Sequence, residues 1–425
     1  MKMSKSVTII GLGYVGLPVA CLCASKYNVI GADTDSKKIS LIKEGTCPIK
    51  DEDLEKNFDK IKDKLQVTTD VEDAVSHSDI VIICVPTPVD KDHIPDLIPL
   101  RSAVTSISNA MKEDTLVIVE STIFPGTTQE VMLPILKKSK VSKFYLAHCP
   151  ERIDPGNKNF TLKGIPRVVA GIDKESTKFA SEFYSNIIDA EIKELTNVKA
   201  AEATKIMENT FRDINIAFVN EMAMSFDKAG IDILEVIKGA STKPFAFMAH
   251  YPGTGVGGHC IPVDPYYLIE SAKQIGFNHK FLSLAREINN NMPSYTIELL
   301  ENSLKKSGNA IRNAKIGVLG VTYKANVGDI RESPALKVID LLKEKNAEVF
   351  VFDPYVKDKS NVSDLDELLQ KSDYIILVTN HDEFKNMDLS KLKSNNIKIV
   401  IDGRNCLDKD KIKKLGIIYH GIGRS

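Results

Sequence analysis

Three observations predict an α/β fold in which two Rossmann-like parallel-sheet domains flank a central all-helical region. A β-branched run near the N-terminus leads into a glycine fingerprint, a long middle stretch free of Gly and Pro keeps helical spacing, and a strand–turn pattern restarts near residue 315. In chain order, Val7 to Ile10 reads as a strand, Gly11-Leu12-Gly13-Tyr14-Val15-Gly16 as a turn, and the run to Ala24 as a helix. Asn28 to Ala32 is a second strand, closed by Asp33. This order of strand, glycine turn, helix, strand and acid is what a dinucleotide-binding βαβ unit requires.

Apolar runs at Ile80 to Val85, Leu116 to Glu120 and Phe144 to Ala147 extend the sheet, so residues 1–196 form a first parallel-sheet domain. A second domain, 197–308, is helical: from Val198 to Ala229 apolar residues such as Ala203, Ile206, Met207, Thr210, Ile214, Ala217 and Phe218 recur at helical spacing. Further helices follow Asp232 and run from Pro265 to Asn290. A helix as long as the first needs a partner for its apolar face, which predicts a span between domains or a homodimer through this region. The third domain, 309–425, has strands at Lys315 to Gly320, Ala347 to Phe352, Tyr374 to Val378 and Ile397 to Ile401, with a helix from Ala335 to Lys345.

Composition narrows the function. The 425 residues carry 56 Lys+Arg against 57 Asp+Glu, a net charge of −1, and are 43% hydrophobic, so neither disorder nor a basic nucleic-acid-coating protein is indicated. No apolar run reaches the ~20 residues of a membrane helix, and the N-terminus lacks a secretory h-region, so a cytoplasmic protein without membrane or nucleic-acid partners is expected. The seven cysteines include no C-x-x-C pair and the eight histidines no H-x-x-x-H pair, so no metal is expected.

The chemistry-bearing residues fall on loops and one helix. Gly11, Gly13 and Gly16 suit a pyrophosphate at a helix N-terminus, and Asp33 suits ribose hydroxyls while repelling a 2′-phosphate, which favours NAD. The segment Pro252 to Pro265 is crowded with Gly and Pro and delivers Cys260, either as a nucleophile beside a closely approached ligand or as an inert thiol near a loop. Lys205 and Asn209, at i and i+4, with Arg212 three residues on, make either an oxyanion site or a solvated helix face. Two loops beyond strand ends, Glu120 to Gly126 and Cys149 to Gly156, place Thr122 to orient a water or cofactor amide and Glu151 as a base, or are ordinary turns.

Taken together, the Gly11 fingerprint, Cys84-Val85-Pro86-Thr87-Pro88, Ser121-Thr122, Pro150-Glu151-Arg152, Lys205 with Asn209, Gly257-Gly258-His259-Cys260 with Asp264, and Tyr323-Lys324 followed by Asp329 to Pro334 resemble the UDP-glucose/GDP-mannose dehydrogenase family. The resemblance covers nearly the whole chain. It implies two successive NAD-dependent oxidations at C6 of a nucleotide sugar, with the aldehyde held as a thiohemiacetal on a cysteine and released by hydrolysis of a thioester. By resemblance, Cys260 is the nucleophile, Lys205 and Asn209 stabilise the oxyanion, Asp264 supports proton transfer, and Glu151 and Thr122 place the hydrolytic water.

Tyr14, Val15, Val85, Pro86, Thr87, Thr122 and Arg331 resemble cofactor contacts. Arg152, Arg212 and Gly257 resemble substrate contacts, while Tyr323, Lys324 and Arg404 resemble the grip on the uridine diphosphate. His259 before the cysteine and Pro155 after Asp154 resemble the branch acting on UDP-N-acetylhexosamines, with UDP-N-acetyl-D-mannosamine the expected sugar. UDP-glucose, UDP-N-acetylglucosamine and UDP-N-acetylgalactosamine are the alternatives, and a two-electron 3-hydroxy acid dehydrogenase or a non-catalytic nucleotide-sugar binder are the competing classes. His259 either tunes Cys260 or fixes the loop.

Overall fold

The computed structural model describes residues 5–90, 94–153 and 160–425. The chain forms two compact units, Met1–Glu208 with Tyr266–Phe277, and Asn209–Pro265 with Asn278–Ser425. The first unit is built on an eight-stranded sheet: β1 (Ser6–Ile10), β2 (Asn28–Ala32), β3 (Gln66–Thr68), β4 (Ile80–Ile83), β5 (Thr115–Val119), β6 (Phe144–His148), β7 (Arg167–Gly171) and β8 (Ile192–Glu194). Their order, β3-β2-β1-β4-β5-β6-β7-β8, reverses between β1 and β4, and the crevice outside the carboxyl ends of those two strands is where open α/β sheets receive ligands. Ile9, Ile82 and Ile118 face one hydrophobic layer, and Ile10, Ile83 and Val119 the other. Burial on both faces is why these strands read as continuous apolar runs.

The five strands read from the sequence, β1, β2, β4, β5 and β6, pair in parallel as expected, and the sheet continues beyond them with a reversal. β6 and β7 pair antiparallel, with Ala147 opposite Gly171 and His148 opposite Ala170. The chain enters β7 at the end where it left β6, so the connection is a return rather than a crossover. β7 has one aliphatic pair, Val168-Val169, behind a charged residue, and β8 a single Ile192 before Lys193 and Glu194, too weak a pattern to read as strands.

The second unit holds a five-stranded, wholly parallel sheet: β9 (Lys315–Leu319), β10 (Glu348–Phe352), β11 (Tyr374–Leu377), β12 (Ile399–Asp402) and β13 (Ile418–Gly421), in the order β10-β9-β11-β12-β13. Its first turn leads into the helix Pro334–Glu344, where Ser333 caps the N-terminus and Pro334 opens the first turn.

The long helix spans Val198–Ala229, as its spacing predicts, and Asp232 caps the next helix, Ile233–Ala240, by accepting the Leu234 N–H. The helical region expected from Pro265 to Asn290 is made of two helices, Asp264–Gln274 and Lys280–Lys306. Gly276 breaks it by adopting φ +79°, the left-handed conformation that ends helices. The second of the pair instead runs on past Asn290 and accommodates Pro293. Along the long helix Ile206 and Ala217 are buried, whereas Met207 (68% exposed) and Phe218 (57%) stand in solvent with Phe211. Among the described residues no helix is long and apolar enough to cross a membrane.

Candidate active site

The glycine turn after β1 is shaped by three different constraints. Gly11 sits at φ +91°, and a Cβ there would lie 2.6 Å from the Cys84 carbonyl oxygen. At Gly16 a Cβ would come within 1.8 Å of the Gly11 oxygen, so only glycine lets the helix Gly16–Cys23 start this close to the turn. Gly13 has nothing within 4 Å of that position, which leaves its backbone open to a ligand. Tyr14 and Val15 lead into the helix.

Asp33, at the end of β2, accepts the Leu12 N–H on Oδ2 at 2.7 Å and the Asp35 N–H on Oδ1 at 2.9 Å, with Lys38 Nζ at 2.6 Å. Burial works against its charge, but Lys38 and these N–H groups outweigh burial and hold the carboxyl below the usual carboxylate range. An open Gly13 backbone beside an anchored anionic acid fits the pyrophosphate and ribose of NAD.

The loops after β4 and β5 are tied together. Thr87 Oγ1 donates to the Thr122 carbonyl at 2.7 Å, Ser121 Oγ donates to the Val85 carbonyl at 2.7 Å, and the Tyr267 hydroxyl donates to the Thr87 carbonyl. Val85, Pro86, Thr87 and Thr122 therefore share one edge of the first unit. The buried Glu202 secures the far side of this edge by accepting the N–H groups of Gly126 (2.6 Å) and Thr128 (2.7 Å), a clamp with no motif to announce it.

Glu151 follows β6 and is buried. Its Oε1 accepts the N–H groups of Arg152 (2.6 Å) and Ile153 (2.7 Å), and its Oε2 lies 2.6 Å from Nη2 of Arg167. Arg152 turns instead to the Pro166 carbonyl (2.9 Å) and to Glu208 (2.5 Å). Asp154, Pro155 and Gly156 lie outside the described residues.

In the second unit Cys260 is half-buried, with its Sγ 2.7 Å from Nδ1 of His259. Its carbonyl accepts the N–H groups of Val263 (3.0 Å) and Asp264 (2.8 Å), which sets the thiol one turn ahead of the helix Asp264–Gln274. Asp264 Oδ2 accepts from Asn209 Nδ2 at 2.6 Å, and Asn209 Oδ1 accepts from Arg212 at 2.7 Å. The amide is thereby oriented at both ends. Lys205, four residues before Asn209 on the helix Val198–Ala229, is half-buried and makes no hydrogen bond or ion pair among the described residues. Cys149, by contrast, is wholly buried, and burial pushes its thiol well up, the environment of an inert cysteine.

The glycines before Cys260 meet protein. A Cβ at Gly257 would fall 2.6 Å from the Tyr323 Cβ, and one at Gly258 would fall 2.8 Å from the Tyr323 ring. The Gly258 N–H donates to the Arg331 carbonyl at 3.0 Å, and the Gly253 N–H to Asn220 Oδ1 at 3.0 Å. The close approach expected towards a ligand is made at Gly257 and Gly258 towards protein instead, which joins the cysteine loop to the segment that carries Tyr323 and Lys324.

That segment repeats the geometry of the first turn. Gly320 has φ +90°, and Asp353, at the end of β10, accepts the Val321 N–H at 2.7 Å and the Tyr355 N–H at 2.8 Å, as Asp33 does for Leu12 and Asp35. Here His381, 3.0 Å away, completes the acid's shell, and despite burial its carboxyl is brought down to about 2 by His381 and the Val321 N–H. Arg404, past β12, donates to the Val378 carbonyl at 2.9 Å and reaches the Tyr323 carbonyl at 3.5 Å. Burial pushes its guanidinium pKa down, a cost that an anionic ligand would offset. Tyr323 and Arg404 therefore meet at the carboxyl ends of β9 and β12, with Lys324 next to Tyr323 in the chain. Arg331 pairs its guanidinium with Asp329 at 2.5 Å. Among the described residues there is no cluster of three or more His, Cys, Asp or Glu that would hold a metal ion.

Three consecutive family models match the chain: the NAD-binding domain of the UDP-glucose/GDP-mannose dehydrogenase family over residues 5–188, its central domain over 199–291, and its UDP-binding domain over 317–409. A UDP-N-acetyl-D-mannosamine dehydrogenase of Pyrococcus horikoshii is 38% identical, over 98% of this chain and 99% of that protein. The solved structure of a UDP-D-ManNAc dehydrogenase from the same organism superposes with a TM-score of 0.91 at 36% identity, covering 99% of each chain. A UDP-N-acetyl-D-glucosamine 6-dehydrogenase of Pseudomonas aeruginosa is 36% identical over 95% of this chain and 98% of its own.

Proposed function

We propose, since the chain belongs to the UDP-glucose/GDP-mannose dehydrogenase family of NAD-dependent enzymes, that it oxidises C6 of UDP-N-acetyl-D-mannosamine to the carboxylate through a covalent bond to Cys260. Full-length similarity to the Pyrococcus horikoshii protein supports the choice of sugar. The observation that carries the covalent mechanism is the thiol of Cys260 beside an imidazole, one turn before an Asp264–Asn209 pair.

NAD, when bound, accepts a hydride from C6 at each of the two oxidations. Gly11, Gly13, Tyr14, Val15, Gly16 and Asp33 would hold it, together with Val85, Pro86, Thr87, Thr122 and Arg331. Lys205 and the remaining N–H of Asn209 stabilise charge on the C6 oxygen. Cys260 adds to the aldehyde, which keeps a reactive intermediate attached and creates a new C–H bond to oxidise. Asp264 supports proton transfer, and Glu151 with Thr122 places the water that cleaves the thioester. Arg152, Arg212, Gly257, Tyr323, Lys324 and Arg404 bind the substrate, the cations offsetting its diphosphate.

The three-part organisation at 1–196, 197–308 and 309–425 goes with this reading, as does a cytoplasmic homodimer supplying cell-surface polysaccharide or glycan synthesis. Exposed Met207, Phe211 and Phe218 on the long helix support pairing through the central region. The test is NADH yield at completion with limiting UDP-N-acetyl-D-mannosamine beside UDP-N-acetylglucosamine, UDP-N-acetylgalactosamine and UDP-glucose. About two NADH per sugar with the first alone supports the reading. The same yield with UDP-N-acetylglucosamine would reassign the sugar, and one NADH per sugar would remove the covalent role of Cys260.

A further inference from the structure

Behind Glu151 lies a buried charge cluster that the reaction as drawn above does not use. It is assembled by the antiparallel pairing of β6 and β7. Continuing the register of Ala147 with Gly171 and His148 with Ala170 by three residues sets Glu151 opposite Arg167. Arg167 is fully buried, its Nη2 meets Glu151 Oε2 at 2.6 Å, and its guanidinium carbon lies 5.8 Å from the centroid of the Tyr184 ring. None of its three guanidinium nitrogens makes a directed hydrogen bond among the described residues, so its interaction with Glu151 is a charge pair. The Tyr184 hydroxyl donates to Glu120 Oε1 at 2.5 Å, and Glu120, just past β5, is 2% exposed.

We propose that Arg167 is a positioning residue for the hydrolytic half of the reaction: it holds the Glu151 carboxyl in one orientation, with Tyr184 and Glu120 completing the buried cluster. The inference rests on the assignment of Glu151 to thioester hydrolysis. With Oε1 pinned by two backbone N–H groups and Oε2 by the arginine, Glu151 has one orientation. Removing the cation would leave a buried carboxylate unpaired, which drives it to take up a proton or swing away. In the same step the catalytic carboxylate would lose its capacity to accept a proton from water as the C–O bond forms and the C–S bond to Cys260 breaks.

Glu120 belongs to the same cluster. Burial first, and repulsion from Glu151 after it, push its carboxyl up to about 8 against the pull of Arg167. The other titratable groups that act on this cluster are Tyr184 on the helix Lys174–Ile187, Cys149 after β6, Cys84 after β4 and Cys23 on the helix Gly16–Cys23. Burial pushes all four up, so they stay neutral near pH 7.

The test uses the full-length protein and mass spectrometry of Cys260 after mixing with UDP-N-acetyl-D-mannosamine and NAD. Glu151→Gln is expected to accumulate a substrate-sized adduct on Cys260. Arg167→Met is expected to do the same with kcat down about 10²-fold, and Arg167→Lys to recover part of that loss. Folded Arg167→Met without adduct, beside a Glu151→Gln that accumulates it, overturns the inference alone. Glu151→Gln with wild-type turnover overturns the hydrolytic assignment and the inference with it. Should Arg167→Met fail to fold, Glu120→Gln decides. Ionisation of Glu120 sets a second negative charge beside Glu151, so wild-type kcat is expected to break near pH 8 and the variant to lack that break. An unchanged break in Glu120→Gln overturns the proposal.

Discussion

Asn209 Nδ2 donates to Asp264 Oδ2 at 2.6 Å, with both residues buried and 55 positions apart in the chain. One amide hydrogen is committed to the acid and the other is left for a ligand. Asp264→Ala is therefore expected to let the amide rotate. In steady-state kinetics kcat falls about 10²-fold, the scale of one lost oxyanion donor, with KM for NAD little changed. An equal loss in kcat and in NAD affinity would point to a structural role instead.

Cys260 is expected to be indispensable for the second oxidation. Cys260→Ala, given limiting sugar, forms no covalent adduct and yields at most about one NADH per sugar. Full turnover to the carboxylate by this variant would exclude the covalent route.

Gly257 is wedged against Tyr323 and the Glu332 carbonyl, 2.6 Å and 2.8 Å from where a Cβ would lie. Gly257→Ala pushes the cysteine loop off the Tyr323 segment. It is expected to cost about 1–3 kcal/mol in denaturant unfolding and to raise KM for the UDP-sugar more than KM for NAD. A variant with wild-type stability and KM would show that the loop shifts without effect.

Glu120 makes stability depend on pH. Its carboxyl is raised from the unfolded 4.5 to about 8, so between those values the folded state holds a proton that the unfolded chain has released. The stabilisation is complete below about 4.5 and is lost as pH rises towards 8. Chemical denaturation across this window is expected to show a downward slope with rising pH in the wild type and a flatter one in Glu120→Gln. Identical slopes would mean that Glu120 is ionised in the fold.

Exposed Met207 and Phe218 lie on the long helix where a second copy is proposed to pack. Met207→Asp with Phe218→Asp is expected to halve the mass measured by light scattering while preserving helical content. An unchanged mass would remove this face from the interface.

What the sequence determined by itself is local. Strands β1, β2, β4, β5 and β6, the long helix and the glycine turn were legible because burial on both sheet faces, helical spacing and left-handed φ angles each demand particular residues at neighbouring positions. Cys260 stood out for the same reason, since its loop suits neither a helix nor a strand. Tertiary structure alone decided the rest. β7 is a short run with a charged first residue, and nothing in Arg167-Val168-Val169 says that it runs antiparallel to β6 or that its arginine meets Glu151. The clamp of Glu202 on Gly126 and the fit of Gly257 against Tyr323 likewise join residues 66 or more positions apart. Such pairings come from sheet register and packing, in which each residue's partner is chosen by the whole chain and leaves no local pattern to read.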